Sequence, residues 1–275
     1  MHRAPPGAMS NGINLPTRGL KVLQCNLRRS TTALMHVLDA CTSQDVDVTL
    51  LQDLPKVVET DPRSHQGFHF CGATGPQGIH MEAGIFVNSR IQFNASPESA
   101  PRSVGIEVNW GSNTIGFVSG YLQPETAAGL PALTVLCQSL KARTPFVFMG
   151  ADINGHSPSW GPLDTIPNAQ GLLVEDFIIE EGLEILNCPN SVATFMPSSG
   201  HETWIDVSLA TRPLASLVST WTVSDQYFYS DHRAILTEFS VAPTGTPPPR
   251  TLNWKMADWA LLHRTLETEL ESRGC

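Results

Sequence analysis

The sequence predicts an α/β fold of the α+β type: a four-layered sandwich of two mostly antiparallel β-sheets flanked by helices. Three observations lead there. Short apolar runs of strand length, many rich in Val, Ile and Phe, dominate residues 20–239. Several are separated by only a few Asn, Ser and Gly residues, and Asn109-Trp110-Gly111-Ser112-Asn113 is the clearest hairpin connection. Helical patterns interrupt the strands at only a few places, which disfavours a doubly wound parallel sheet.

Taken in order, residues 1–18 are rich in Pro, Gly and Asn and read as a flexible tail. Residues 20–25 form a strand that runs into Asn26. Ser30-Thr31-Thr32 offers N-cap residues for a helix over 33–42, with Leu34, Val37, Leu38 and Cys41 on one face. A second buried strand, 47–51, ends at Gln52-Asp53 and completes a βαβ-like unit. Strands follow at 83–87, 104–110 and 114–121. Pro124-Glu125-Thr126 opens a helix reaching Lys141, and a strand at 146–149 succeeds it. A helix over 171–181 is closed by Gly182. Strands at 184–186, 192–195, 204–209, 218–223 and 234–239 complete the core. No internal repeat is present, and 19–241 reads as one domain. A Pro-rich linker and a peripheral helix over 256–272 occupy 242–275.

With 275 residues, 41% hydrophobic and 16% charged, the chain has the composition of a globular protein. No apolar stretch is long enough for a membrane span, and the N-terminus lacks a signal-peptide core, so an intracellular protein without a membrane anchor is expected. Six cysteines, at 25, 41, 71, 137, 188 and 275, include no close pair, which fits reduced thiols better than zinc or disulfides. The net charge of −9 is not the footprint of a non-specific nucleic-acid binder. Either the partner is not a polyanion, or a local positive face and a bound cation offset the field.

The functional signal is where polar residues fall. Asp152 and Asn154, two residues apart, leave the 146–149 strand on the same face. A hard cation takes oxygen ligands and a phosphate takes amide donors, so the pair suits a metal–phosphate site; a polar turn is the alternative. Asn26, Asp53, Tyr121, Asp206 and Asp231-His232 likewise stand at or just past the ends of apolar runs. Brought together, these ends make a pocket for a divalent metal and a general base, suited to hydrolysing a phosphate ester.

Six segments carry a family resemblance: LQCNLRRS (23–30), LLQD (50–53), SGYLQP (119–124), GADINGHSPSWG (150–161), TWIDVSLA (203–210) and SDHRAI (230–235). Their order is similar to that of the endonuclease/exonuclease/phosphatase superfamily, in the apurinic-endonuclease-like form found in non-LTR retrotransposons. The 150–161 run resembles that group's GDFNAHHPLWG block, and NWKMADWALLHRTL (253–266) is similar to the segment between that domain and a reverse transcriptase.

The resemblance implies roles for matching positions. Asn26, Asp53 and Asp231 would stand at a Mg²⁺ ion, with Mn²⁺ as a substitute. Tyr121 would hydrogen-bond the scissile phosphate, Asp152 would position the attacking water, and Asn154 would bind a phosphate oxygen. His232 would act as general base or as a donor to the phosphate, its ring held by Asp206. Thr194, His156, Ser230 and Arg28 would contact substrate, although loop polarity and packing explain such residues equally well. The loop over 195–203 would form a hairpin beside the site. One departure is the carboxylate at 53, where the family has Glu and this chain the shorter Asp. The implied activity is nicking of DNA in the nucleus, leaving a 3′-hydroxyl for a reverse transcriptase downstream in the same polyprotein. A phosphatase of a small or lipid substrate, and a catalytically decayed binding remnant, are the alternatives.

Overall fold

A computed structural model of the chain describes residues 19–56, 67–75, 80–188, 191–197 and 200–240. The predicted N-terminal tail, linker and last helix lie outside these residues. In β1 (Leu20–Asn26) successive side chains divide between two environments, as extended backbone requires. Leu23 and Cys25 pack toward helix α1 (Thr31–Ser43), while Leu20 and Val22 enter a core shared with a second sheet. That division recurs along the central strands and produces the layers.

The first sheet has the order β11-β12-β1-β2-β4-β3, with β2 at Val48–Gln52, β3 at Phe68–Gly72 and β4 at Ala83–Asn88. Its other edge is β11 (Val218–Val223) and β12 (Ile235–Phe239). The second has the order β5-β6-β7-β8-β10-β9: β5 Phe93–Ala95, β6 Ser103–Trp110, β7 Asn113–Tyr121, β8 Val147–Asp152, β9 Leu183–Ile185 and β10 Asp206–Thr211. Each sheet holds one parallel pair, β1 with β2 and β7 with β8, among antiparallel ones. Leu50, Ile85, Ile106, Phe117 and Phe148 fill the space between the sheets. Helices α2 (Leu130–Arg143) and α3 (Ala169–Glu181) cover the far face of the second sheet, through Leu136, Val174 and Phe177. A short turn of helix, α4 (Arg212–Ala215), follows β10. The four-layered sandwich is therefore as predicted.

Local signals explain the elements read well from sequence. The Ser30 hydroxyl accepts the Ala33 N–H and caps α1. Gly182 adopts φ +61° and closes α3, and Gly111 adopts φ +69° in the β6–β7 hairpin. Two expectations require correction. The helix expected from residue 124 starts at Leu130, because Glu125, Ala127 and Gly129 all have positive φ, which an α-helix excludes. Residues 192–195 are not a strand: the Thr194 hydroxyl accepts the N–H groups of Ile205 and Asp206 there, and only Phe195 makes isolated bridges, to Thr203 and His232. The bridge to Thr203 closes the base of the expected 195–203 hairpin, whose residues 198–199 are outside the described set.

Toward one edge of the sandwich the inner face changes character. In β7 it runs Phe117, Ser119, Tyr121; in β8 Phe148, Gly150, Asp152; in β10, read backwards, Ala210, Ser208, Asp206. Ser119, Gly150 and Ser208 lie side by side in register. From the first sheet Gln24 accepts from Ser208 Oγ (3.0 Å) and donates to Ala151 O (3.3 Å), while Gln52 donates to Ser119 Oγ (3.0 Å) and Gly150 O (3.2 Å). These groups are buried, so their bonds are expensive to break. Gly150 is required by the close approach: a Cβ there would lie 2.6 Å from Gln24 Oε1, whose side chain is already pinned. Gly150→Ala is expected to lose about 1–3 kcal/mol, read as a lower urea midpoint at unchanged slope. A wild-type midpoint would contradict the tight contact.

Candidate active site

One more step outward from this polar layer, the strand ends converge. Tyr121, Asp152 and Asp206 stand in register on three neighbouring strands. Asn26 ends β1 opposite Gln52 at the end of β2, and β12 begins at the same edge because it runs antiparallel to β1. The sheets meet where Asn26 Nδ2 donates to Asp152 Oδ2 (2.7 Å). Asp152 Oδ1 accepts the Asn154 N–H (3.1 Å). Asn154 has φ +46°, and its amide donates to Leu122 O (2.9 Å).

His232 is 6% exposed, and its Nδ1–H donates to Asp206 Oδ2 (2.9 Å), which leaves Nε2 as the free ring nitrogen. Phe195 packs against the ring, with centroids 4.7 Å apart. Asp152, Asp206 and His232 each bring one donor atom within 4.8 Å of the others, the one such group of three among the described residues. Burial alone would lower the His232 pKa, but the Asp206 carboxylate, with Asp152 and Asp231 behind it, raises it to about 9. Burial, and then the Asp206 charge, pushes Asp152 above the ordinary carboxylate range. The Tyr121 hydroxyl is pushed up to about 12 by burial and then by Asp53, Asp152 and Glu82, so it remains a donor at neutral pH.

The remaining carboxylates line the side formed by the first sheet. Asp53, at φ +46°, accepts from Arg29 Nε (2.8 Å), and Asp231 is paired with Arg28. Glu82, immediately before β4, was not singled out from the sequence. It is 5% exposed, its carbonyl accepts the Asp53 N–H (2.7 Å), and its carboxylate pairs with Arg102 and lies 3.6 Å from Arg29. A carboxylate directly before a buried apolar strand was the available signal. Arg29 thus bridges Asp53 and Glu82 at the rim of the cleft.

Three expected substrate contacts are placed elsewhere. Thr194 is fully buried and spends its hydroxyl on the backbone of 205 and 206. Ser230 is buried and donates to Asn26 O (2.7 Å) while accepting the His232 N–H, so it fastens the 230–232 loop to β1. His156 is half-buried, and its backbone bonds with Asn168 at the start of α3. Arg28 alone of the four is open to solvent, at 63%.

Hard oxygen donors and a buried imidazole–carboxylate pair are thus assembled at the edge of a two-sheet sandwich. The model of a family described as endonuclease-reverse transcriptase matches residues 115–236. A retrovirus-related Pol polyprotein from the type-1 retrotransposable element R1 of Bradysia coprophila is 28% identical over 153 residues, covering 51% of this chain. Over residues 115–236 the chain is similar to this endonuclease-reverse transcriptase family. It spans only 15% of the R1 polyprotein's length. Among solved structures, the endonuclease domain of TRAS1, a telomere-specific non-LTR retrotransposon, superposes with a TM-score of 0.70 at 21% identity, covering 81% of this chain and 99% of that one. The AP endonuclease LMAP of Leishmania major gives 0.65 at 13% identity, covering 82% and 89%. These two likenesses concern the fold.

Exchanging Asp206 for Asn separates burial from charge. In wild type the His232 imidazole should titrate near 9. In Asp206→Asn burial acts with less opposition, so the imidazole should titrate lower, as followed by NMR of the ring. An unchanged titration would show that Asp206 does not hold the charge.

Proposed function

We propose that this chain is a metal-dependent DNA endonuclease domain of a non-LTR retrotransposon polyprotein, nicking one strand to leave a 3′-hydroxyl. The observation that carries this reading is the buried cluster of Asp152, Asp206 and His232 beside Tyr121 and Asn26, in a chain whose sequence relative is a retrotransposon polyprotein. The downstream reverse transcriptase and a nuclear address follow from that parentage. No helix among the described residues is long and apolar enough to cross a membrane.

The residues divide the chemistry. Asp152, held by Asn26 and the Asn154 N–H, would orient water toward phosphorus, and its raised pKa suits it to take the proton. The water oxygen bonds to phosphorus as the P–O3′ bond breaks, and the leaving oxygen takes up a proton as the 3′-hydroxyl. His232, protonated at neutral pH, would donate from Nε2 to a phosphate oxygen, the donor role rather than the base role; Asp206 fixes its ring. Tyr121, kept as a neutral phenol, would donate to another oxygen.

By donor chemistry the other side of the site suits a hard divalent ion, although its carboxylates are not gathered as closely as the buried triad. Asp53, Glu82, Asp231 and the Asn26 carbonyl offer only oxygen, the preference of Mg²⁺ and Mn²⁺. The buried triad fits less well, because it includes an imidazole nitrogen where a hard ion prefers oxygen. Glu82 supplies a carboxylate beside the short Asp53. When bound, such an ion would stabilise negative charge on the phosphate and leaving oxygen.

Supercoiled plasmid should be converted to open circles with Mg²⁺ or Mn²⁺ and not with EDTA. His232→Ala should slow this by about 10²–10⁴-fold, and Glu82→Gln should raise the metal concentration needed. Nicking that survives His232→Ala or EDTA would reject the proposed chemistry. Silence of wild type with recovery in Asp53→Glu would instead mark a decayed nuclease.

A further inference from the structure

The segment between β11 and β12 holds two tyrosine rings in water beside the catalytic cleft. Phe228 turns inward and is 1% exposed, packed in the core under α1. Its neighbours on either side, Tyr227 and Tyr229, turn outward and are 64% and 50% exposed. Their rings lie 5.2 Å apart between centroids, and Tyr229 in turn stacks on His36 of α1, at 4.4 Å and 23° between planes. His36 is exposed as well. Three rings therefore form a short ladder on the surface. Tyr229 holds φ +58°, a left-handed conformation that is costly for a bulky side chain and that recurs nearby at Arg28, Arg29, Asp53 and Asn154.

The ladder is covalently close to the chemistry. Tyr229 precedes Ser230, which is tied to Asn26 O, and then Asp231 and His232. Three steps of about 3.8 Å put the Cα atoms of Tyr229 and His232 no more than about 11 Å apart. One strand of DNA advances about 3.4 Å per nucleotide, so the backbone that carries Tyr229 lies within about three nucleotides' rise of the backbone at His232. A recess of about 150 Å³, bordered by Tyr227, Ser230, Met196, Arg233 and His232, runs along this stretch. The exposed guanidinium of Arg28, paired with Asp231, supplies positive charge beside it in a chain that is otherwise acidic.

We propose that Tyr227, Tyr229 and His36 form a stacking platform for an unpaired nucleobase of the DNA strand, next to the phosphate that is cut. This rests on the endonuclease reading. A base inside an intact duplex has both faces covered by its neighbours, whereas an unpaired one offers a face to aromatic rings, whatever its identity. The adjacent guanidinium meets the backbone phosphate of the same nucleotide. The platform makes a frayed or distorted duplex the better substrate.

The test measures binding without turnover. The 275-residue chain in EDTA is titrated with duplex oligonucleotides that carry 2-aminopurine either in a small unpaired bubble or fully paired. Stacking on the platform changes the probe's fluorescence, and the bubble should bind about tenfold more tightly than the paired duplex. Tyr227→Ala combined with Tyr229→Ala should erase that preference, while Tyr229→Phe should keep it; the thermal melt of each variant checks folding. A folded double variant with the wild-type preference and fluorescence change overturns the platform. Binding with the fluorescence change but no nicking under Mg²⁺ sustains the platform and removes the endonuclease reading. Nicking with no response from the bubble probe overturns the platform alone. Capture of neither DNA overturns the platform, and with no nicking under Mg²⁺ it overturns the endonuclease reading as well.

Discussion

Between the two sheets, Gln24 reaches across to Ser208 and to the carbonyl of Ala151, and Gln52 reaches across to Ser119 and the carbonyl of Gly150. An apolar layer in the same place would pack well but would fix the relative height of the sheets less sharply, since hydrophobic burial is not directional. Hydrogen bonds with one acceptable length are directional. They set which strand end of one sheet faces which strand end of the other. Asn26 then meets Asp152 at 2.7 Å, although 126 residues of chain separate them. Everything at the candidate site stands on that layer.

The site has two halves with different electrostatics. On the second-sheet side, Asp152 and Asp206 stand beside His232 in a buried setting, and the three share charge: the imidazolium is held by Asp206, and Asp152 is pushed toward neutrality. On the first-sheet side, Asp53 and Asp231 are more open, Glu82 is buried, and the three are balanced by Arg28, Arg29 and Arg102. The exposed arginine arms, above 60% accessible at Arg28 and Arg29, can leave the carboxylates without unpacking the core. In a chain of net charge −9, the positive charge at the cleft thus sits on movable arms that its carboxylates balance.

Much of this was legible in the sequence because its causes are local. Ser30 and Gly182 mark helix ends by chemistry that acts within a few residues, and the strand over 147–152 ends in polar residues where its apolar run stops. Strands β3 and β5 were missed because each is short and has an exposed face, and it is the pairing with β4 and β6 that makes them strands. The start of α2 was placed too early because Pro124 and Thr126 look like a helix opening, while left-handed backbone at Glu125 and Ala127 is imposed by the turn around them. The roles expected of Thr194 and Ser230 reversed for one reason. A hydroxyl near a site looks the same in sequence whether it faces the substrate or a backbone N–H. Glu82 escaped because its partners Arg29, Arg102 and Asp53 arrive from three distant connecting segments.

The division of the site into a metal-holding half and a proton-handling half is the central claim, and a crystal soaked in Mn²⁺ tests it most directly. Anomalous difference density should appear among Asp53, Glu82, Asp231 and Asn26 Oδ1, displacing the arginine arms, with His232 still bonded to Asp206. Density enclosed by Asp152, Asp206 and Nε2 of His232 would place the ion in the wrong half and contradict the assignment of those three residues to water and proton.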